Sequence, residues 1–89
     1  MNKKVYIALS ADFLHHGHIN LIKEAKKHGN VILGLLTDKA ISENKELPYL
    51  NYNQRLQIVK NLSGISRVVP QNKWDYSENI LKIKPDYFV

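Results

Sequence analysis

Cysteine is absent from the 89 residues, which excludes disulfides and any thiolate metal site and fits a reducing compartment. Glycine occurs four times and proline three times, and no internal repeat, low-complexity stretch or Pro/Gly-rich linker divides the chain. No apolar run approaches the ~20 residues that span a bilayer. The run Val5 to Leu9, which follows the basic Met1-Asn2-Lys3-Lys4, is too short for a signal-peptide core. The basic residues never gather into a run of five or more, so a nucleic-acid-binding tail is unsupported. These absences set the expectation of one small domain over residues 1–89, cytoplasmic, with no membrane span and no nucleic-acid partner.

What is present is an ordinary folded composition, 44% hydrophobic and 24% charged. Lysine and arginine total 13 against 8 acidic residues, a net charge of +5 that can favour nucleic acid or an anionic membrane and equally suits a protein handling anionic, phosphorylated small molecules. Val5 to Leu9 and Val31 to Leu36 are almost wholly apolar, as strands buried on both faces of a parallel sheet are. Between them, Ile19, Ile22 and Ala25 recur at helical spacing, predicting a helix over residues 19–29 that ends at Gly29 as its C′ residue. Strand, helix and strand make a βαβ unit, and Gly34 is expected to let a helix pack close against the second strand. Further on, Lys39 to Asn44 reads as a short helix. Asn51 and Gln54 read as a capping box opening a helix to about Leu62 that buries Leu56, Val59 and Leu62, with Ile58 alongside. Arg67 to Pro70 reads as a third strand. Asp75 to Glu78 reads as another capping box, before a helix carrying Ile80, Leu81 and Ile83 that Pro85 stops, and Asp86 to Val89 as a fourth strand.

The residues with chemistry cluster after the first strand, where Asp12 and three histidines, His15, His16 and His18, fall within seven positions around Gly17. At a strand-to-helix turn, a glycine lets a ligand approach the backbone. The first helical turn adds unpaired N–H groups and the positive end of the helix dipole, a ready phosphate site. His15 and His18 flank Gly17 as H-x-G-H and could donate hydrogen bonds to phosphate oxygens. Two other readings stand beside this one. The histidines cap the turn, or His15, His16 and His18 ligate zinc, against which the divergent directions of adjacent side chains argue. Arg55 sits in the first turn of its helix, where a cation opposes the dipole; that conflict points to an anion outside the helix. Trp74, in a polar loop, is either a core plug or an aromatic wall of a site.

The stretch Leu9-Ser10-Ala11-Asp12-Phe13-Leu14-His15-His16-Gly17-His18 resembles the G-x-F-D-x-x-H-x-G-H pattern of cytidylyltransferase-type nucleotidyltransferases. The Asp and H-x-G-H positions match, and Leu9 and Ala11 depart from the family's glycine and aromatic residue. Tyr52-Asn53-Gln54-Arg55 matches the family's Y-x-x-R, while Ser63 stands where relatives often carry an arginine. The likeness extends to Val89 and is nearest the domain associated with phosphoenolpyruvate phosphomutase. It implies the N-terminal portion of the domain, without the C-terminal loop that grips the triphosphate, so that this chain alone turns over poorly.

The resemblance implies an α/β fold: a Rossmann-like, doubly wound parallel sheet of about four strands in the order 3-2-1-4. It implies transfer of a cytidylyl group from CTP to a phosphorylated alcohol or phosphonate, with pyrophosphate released and Mg²⁺ carried in with the triphosphate. His15 and His18 would serve the α- and β-phosphates, Lys45 and Arg55 would neutralise phosphate charge, and Ser10, Ala11, Asp12, Gly17 and Trp74 would complete the nucleotide site. A homodimer is the implied assembly. The rival of another class is a non-catalytic nucleotide-binding or regulatory module.

Overall fold

The computed structural model describes residues 3–11, 16–43 and 50–88. Along the chain run β1 (Lys4–Leu9), α1 (His16–Lys26), β2 (Asn30–Leu36), α2 (Asp38–Ser42), α3 (Tyr52–Lys60), β3 (Ile65–Gln71), α4 (Ser77–Ile83) and β4 (Tyr87–Phe88). The described strands form one sheet in the order β3-β2-β1-β4, every pair parallel, as the resemblance implies. β1 and β2 are central and pair along all of β1, Lys4 with Asn30 through Leu9 with Leu35. β4 adds only two pairs, Val5 with Tyr87 and Tyr6 with Phe88.

The alternation of side chains along a strand divides the core. The odd-numbered residues Val5, Ile7 and Val31 pack with Ile22 and Ala25 of α1, and Leu33 and Leu35 pack with Val59 of α3. Each such side chain contributes about 1.5–3 kcal/mol on full burial. The even-numbered Tyr6 and Gly34 face the other side of the sheet, where α4 brings Asn79 to the Tyr6 hydroxyl at 2.9 Å. Helices on both faces make the sheet doubly wound.

Several local expectations change. α1 starts at His16 and ends at Lys26, with two turn hydrogen bonds beyond it, so Gly29 lies past the C′ position. Its missing Cβ instead lets the backbone press against the Lys3 carbonyl. At Gly34 the space is filled by the Tyr6 ring and hydroxyl, not by a helix. α2 begins one residue earlier than expected, with Thr37 Oγ1 accepting from the Ala40 N–H as its cap. The Asn51–Gln54 capping box is present, both bonds at 2.9 Å, but α3 stops at Lys60 and leaves Ile58 exposed. β3 is three residues longer than expected, and as an edge strand it accommodates Pro70. Asp75 does not cap α4: its Oδ1 accepts from both the N–H and the hydroxyl of Ser77, and Tyr76 at the N-cap makes no side-chain cap bond. No residue of α4 is fully buried, and Leu81 is 74% exposed.

Candidate active site

In an open parallel sheet the ligand crevice lies beyond the carboxyl ends of the strands, at the point where the strand order reverses. Here β1 is that point, since β2 and β3 lie on one side of it and β4 on the other. A cleft of about 590 Å³ opens there. Ala8, Leu9 and Ser10 from the end of β1 and Leu36 from the end of β2 line it, with Gln71 from β3 and Trp74, Asp75 and Tyr76 from the β3–α4 connection.

Ser10 and Trp74 are thus brought together in one cleft. Trp74 is 37% exposed, which makes it a wall of the cleft and not a core plug. Its backbone N–H donates to Glu43 Oε1 at 2.8 Å. Gly17 and His18, both partly buried, stand in the first turn of α1, the helix that follows the same strand end, with His16 exposed as its first residue. Asp12 and His15, in the stretch 12–15, and Lys45, in the stretch 44–49, lie outside the described residues. Ala11 turns its side chain into the core beside Leu33, Leu35 and Val59 and is 2% exposed, so only its backbone can face a nucleotide. It holds φ at 59°, a left-handed conformation costly for a residue with a Cβ.

Arg55 departs most from expectation. Its side chain is wholly buried, and four of its donor bonds go to the protein. Nε donates to the Leu50 carbonyl at 3.0 Å, and Nη1 donates to the Ser10 and Leu36 carbonyls at 2.7 and 2.5 Å. Nη2 meets Asp38 Oδ1 at 2.7 Å. A buried guanidinium is tolerated only when paired and hydrogen-bonded in this way. Arg55 therefore ties the ends of β1 and β2 to the start of α2.

On the other face of the sheet, burial raises the Tyr6 hydroxyl pKa above the ordinary tyrosine value, offset in part by the bond from Asn79. The hydrogen bonds from the Ser77 side chain and backbone, with Lys73 nearby, hold Asp75 below the usual carboxylate range. Among the described residues no group of three His, Cys, Asp or Glu side chains is placed to hold a metal ion. Likewise, no described helix is long and apolar enough to cross a membrane. Gln71, Asp75 and Tyr76 are not marked as site residues by the sequence: Asp75 and Tyr76 read there as part of a helix cap, and Gln71, a polar residue at the end of a strand, carries no local mark of facing a cleft.

A doubly wound parallel sheet whose cleft sits at the switch point, beside the first turn of α1, is the arrangement of a nucleotide-binding α/β protein. The profile of the cytidylyltransferase-like family matches residues 10–89, and the chain belongs to that family. It is 30% identical to an FAD synthase of Thermoplasma volcanium over 84% of this chain and 54% of that protein. It is also 30% identical to the glycerol-3-phosphate cytidylyltransferase of Staphylococcus aureus, over 98% of this chain and 67% of that protein. The chain spans about half the length of the two FAD synthases it matches at 54% and 50% coverage. Among solved structures, a lipopolysaccharide core biosynthesis protein from Thermoplasma volcanium GSS1 superposes with a TM-score of 0.88. That protein is 28% identical, with 97% of this chain and 71% of the other covered.

Proposed function

We propose that this protein transfers the cytidylyl group of CTP to a phosphorylated alcohol or a phosphonate and releases pyrophosphate. The observation that carries the reading is the first turn of α1, with Gly17 and His18, in a chain whose sequence reads H-x-G-H there and matches the family over residues 10–89. The likeness to a glycerol-3-phosphate cytidylyltransferase over 98% of the chain supports cytidylyl transfer. The likeness of the motif to domains associated with phosphoenolpyruvate phosphomutase supports a phosphonate acceptor.

In this reading an anionic acceptor oxygen attacks the α-phosphorus of CTP. The new P–O bond forms as the bond from the α-phosphorus to the bridging oxygen breaks, and pyrophosphate departs with that electron pair. The acceptor oxygen already carries its charge at neutral pH, so no protein nucleophile is needed; catalysis is alignment and charge stabilisation. His18, with His15, donates to the phosphates at the start of α1, where the helix dipole favours negative charge. Trp74 lies against the nucleoside, and Lys45 reaches the phosphates. Mg²⁺ enters with the triphosphate as part of the substrate. The exposed apolar residues Leu81 and Phe88 support the homodimer the resemblance implies, which sedimentation tests.

Pyrophosphate release by a version as long as the curated relatives, with CTP or ATP against aminoethylphosphonate, phosphocholine, glycerol 3-phosphate and FMN as acceptors, tests the reading; this chain alone is expected to turn over poorly. Turnover with CTP and a phosphonate is expected. Turnover with ATP and FMN would instead favour a second reading, adenylyl transfer, which the likeness to FAD synthases supports. Triphosphate binding without turnover on any acceptor would favour a regulatory nucleotide-binding module.

A further inference from the structure

Gln71 is the last residue of β3 and is polar yet 2% exposed. Its carboxamide is spent inside the protein. Oε1 accepts from the Tyr6 hydroxyl at 2.6 Å, and Nε2 donates to the Lys73 and Trp74 carbonyls, each at 3.1 Å. Both amide protons are therefore committed, which unfits the side chain for reading a nucleobase through them. The Tyr6 hydroxyl in turn accepts from Asn79 Nδ2 at 2.9 Å, and the same nitrogen reaches the Pro70 carbonyl at 3.0 Å. Tyr6 is seated by Gly34, whose missing Cβ leaves room for its ring. A continuous hydrogen-bonded chain thus runs from the centre of the sheet, through Gln71, to the backbone that carries Trp74, Asp75 and Tyr76.

Those three residues form one wall of the cleft. From this continuity we infer that Gln71 is a positioning residue: the Tyr6–Gln71–Asn79 network fixes the Trp74–Tyr76 wall and so sets the affinity of the cleft for its nucleotide. The inference rests on the reading of the cleft as a nucleotide site. Its physical basis is preorganisation. A wall already ordered in the free protein costs little to order on binding, whereas a loosened one subtracts that ordering from the affinity. Two carbonyls held by one carboxamide fix both the position and the orientation of the segment, which a single bond would not. The Glu43 contact to the Trp74 N–H holds the wall from α2 but does not tie it to the sheet.

The test uses Gln71→Glu, which keeps Oε1 and removes both donors, and Tyr6→Phe, which removes only the hydroxyl. Val31→Ala, in the core at the amino end of β2, serves as the control for general softening. Trp74 is the one tryptophan of the chain, so acrylamide quenching of its emission reports the wall directly. Measured where each variant is folded by circular dichroism, both network variants are expected to raise quenching and to weaken binding of CTP with Mg²⁺ about tenfold, the size expected for ordering one or two side chains on binding. Val31→Ala should leave both readouts unchanged. Wild-type quenching and affinity in Gln71→Glu overturn the inference, as does an equal loss in Val31→Ala. A wild-type protein that binds no nucleoside triphosphate removes the reading of the cleft and the inference with it. Wild-type binding with unaltered network variants removes the inference alone.

Discussion

Arg55 Nη2 and Asp38 Oδ1 meet at 2.7 Å, the guanidinium with no exposed surface and the carboxylate 43% exposed. The asymmetry matters energetically. Asp38 keeps partial hydration, while Arg55 depends on its partners to offset the loss of water. Removing one side of such a pair costs more than the pair itself contributes, because the other side is left unmet.

Arg55→Met is therefore expected to destabilise the fold by about 3–5 kcal/mol, since it strands the Ser10, Leu36 and Leu50 carbonyls together with Asp38. Arg55→Lys should recover little, because one ammonium cannot reproduce the planar fork that reaches all of these acceptors. Asp38→Asn, which retains an acceptor at Oδ1, should cost only about 1–2 kcal/mol. Urea unfolding of the three variants checks the ranking, and an Arg55→Lys variant as stable as wild type would refute it.

Gly34→Ala places a methyl group onto the Tyr6 hydroxyl and ring. The ring must leave its seat, which breaks the bond to Gln71 and disturbs the packing of the two central strands. A loss of about 3 kcal/mol is expected, the upper end for overfilling a packed interior. In a double-mutant cycle with Tyr6→Phe the losses should fall short of additivity, because each change breaks the same Tyr6–Gln71 bond. Additive losses measured by thermal unfolding would show that the methyl is accommodated elsewhere.

How far the fold was legible follows from how local each signal is. Val5–Leu9 and Val31–Leu36 announced buried parallel strands because both faces are apolar, and the Asn51–Gln54 box announced α3 because its two partners are three residues apart. The conflict of Arg55 with the helix dipole was also visible. What resolves it was not: the Ser10 and Leu36 carbonyls lie 45 and 19 residues away in sequence, and only the register of β1 on β2 brings them together. The negative partner sought outside the helix proved to be the protein's own backbone and Asp38. Gly34 misled for the same reason. A glycine in a strand announces close approach but not by what, and Tyr6 reaches it from the neighbouring strand. Of the site, Trp74 and Ser10 were legible and do share a cleft, whereas Gln71 became meaningful only when β3 was placed beside β2.

The histidines divide by the chemistry proposed for them. In a version as long as the curated relatives, His18→Ala, and His15→Ala likewise, are expected to lower turnover by about 10²–10³-fold, the loss on removing one donor that serves a developing phosphate charge. His16, exposed as the first residue of α1, should tolerate alanine with much less effect. Pyrophosphate release under saturating CTP measures all three. If His16→Ala is impaired as severely as the others, the shared loss would favour a three-histidine metal centre over phosphate binding.

Alkaline titration offers a test that needs no substrate. Burial raises the Tyr6 hydroxyl above the ordinary tyrosine value of 10.0, because the phenolate would lie inside the sheet-helix interface. Tyr52 shifts in the same direction, by burial, with Arg55 opposing. The sign follows from proton counting. Above the unfolded-state value, the unfolded chain releases the Tyr6 proton while the folded chain keeps it, so the folded state binds more protons and stability falls as pH rises. The loss begins near pH 10, where the unfolded tyrosine titrates, and continues until the folded hydroxyl ionises. Tyr6→Phe removes this group from both states. Its unfolding free energy should lie below that of wild type near neutral pH, by the hydrogen bonds to Gln71 and Asn79 that it lacks. The difference should shrink as pH rises past 10. Urea unfolding of both proteins across pH 8 to 11 reads the two curves, with the folded baseline checked by circular dichroism at each pH. Parallel curves would mean that Tyr6 ionises as readily folded as unfolded, and that its hydroxyl is not held in the buried bond to Gln71.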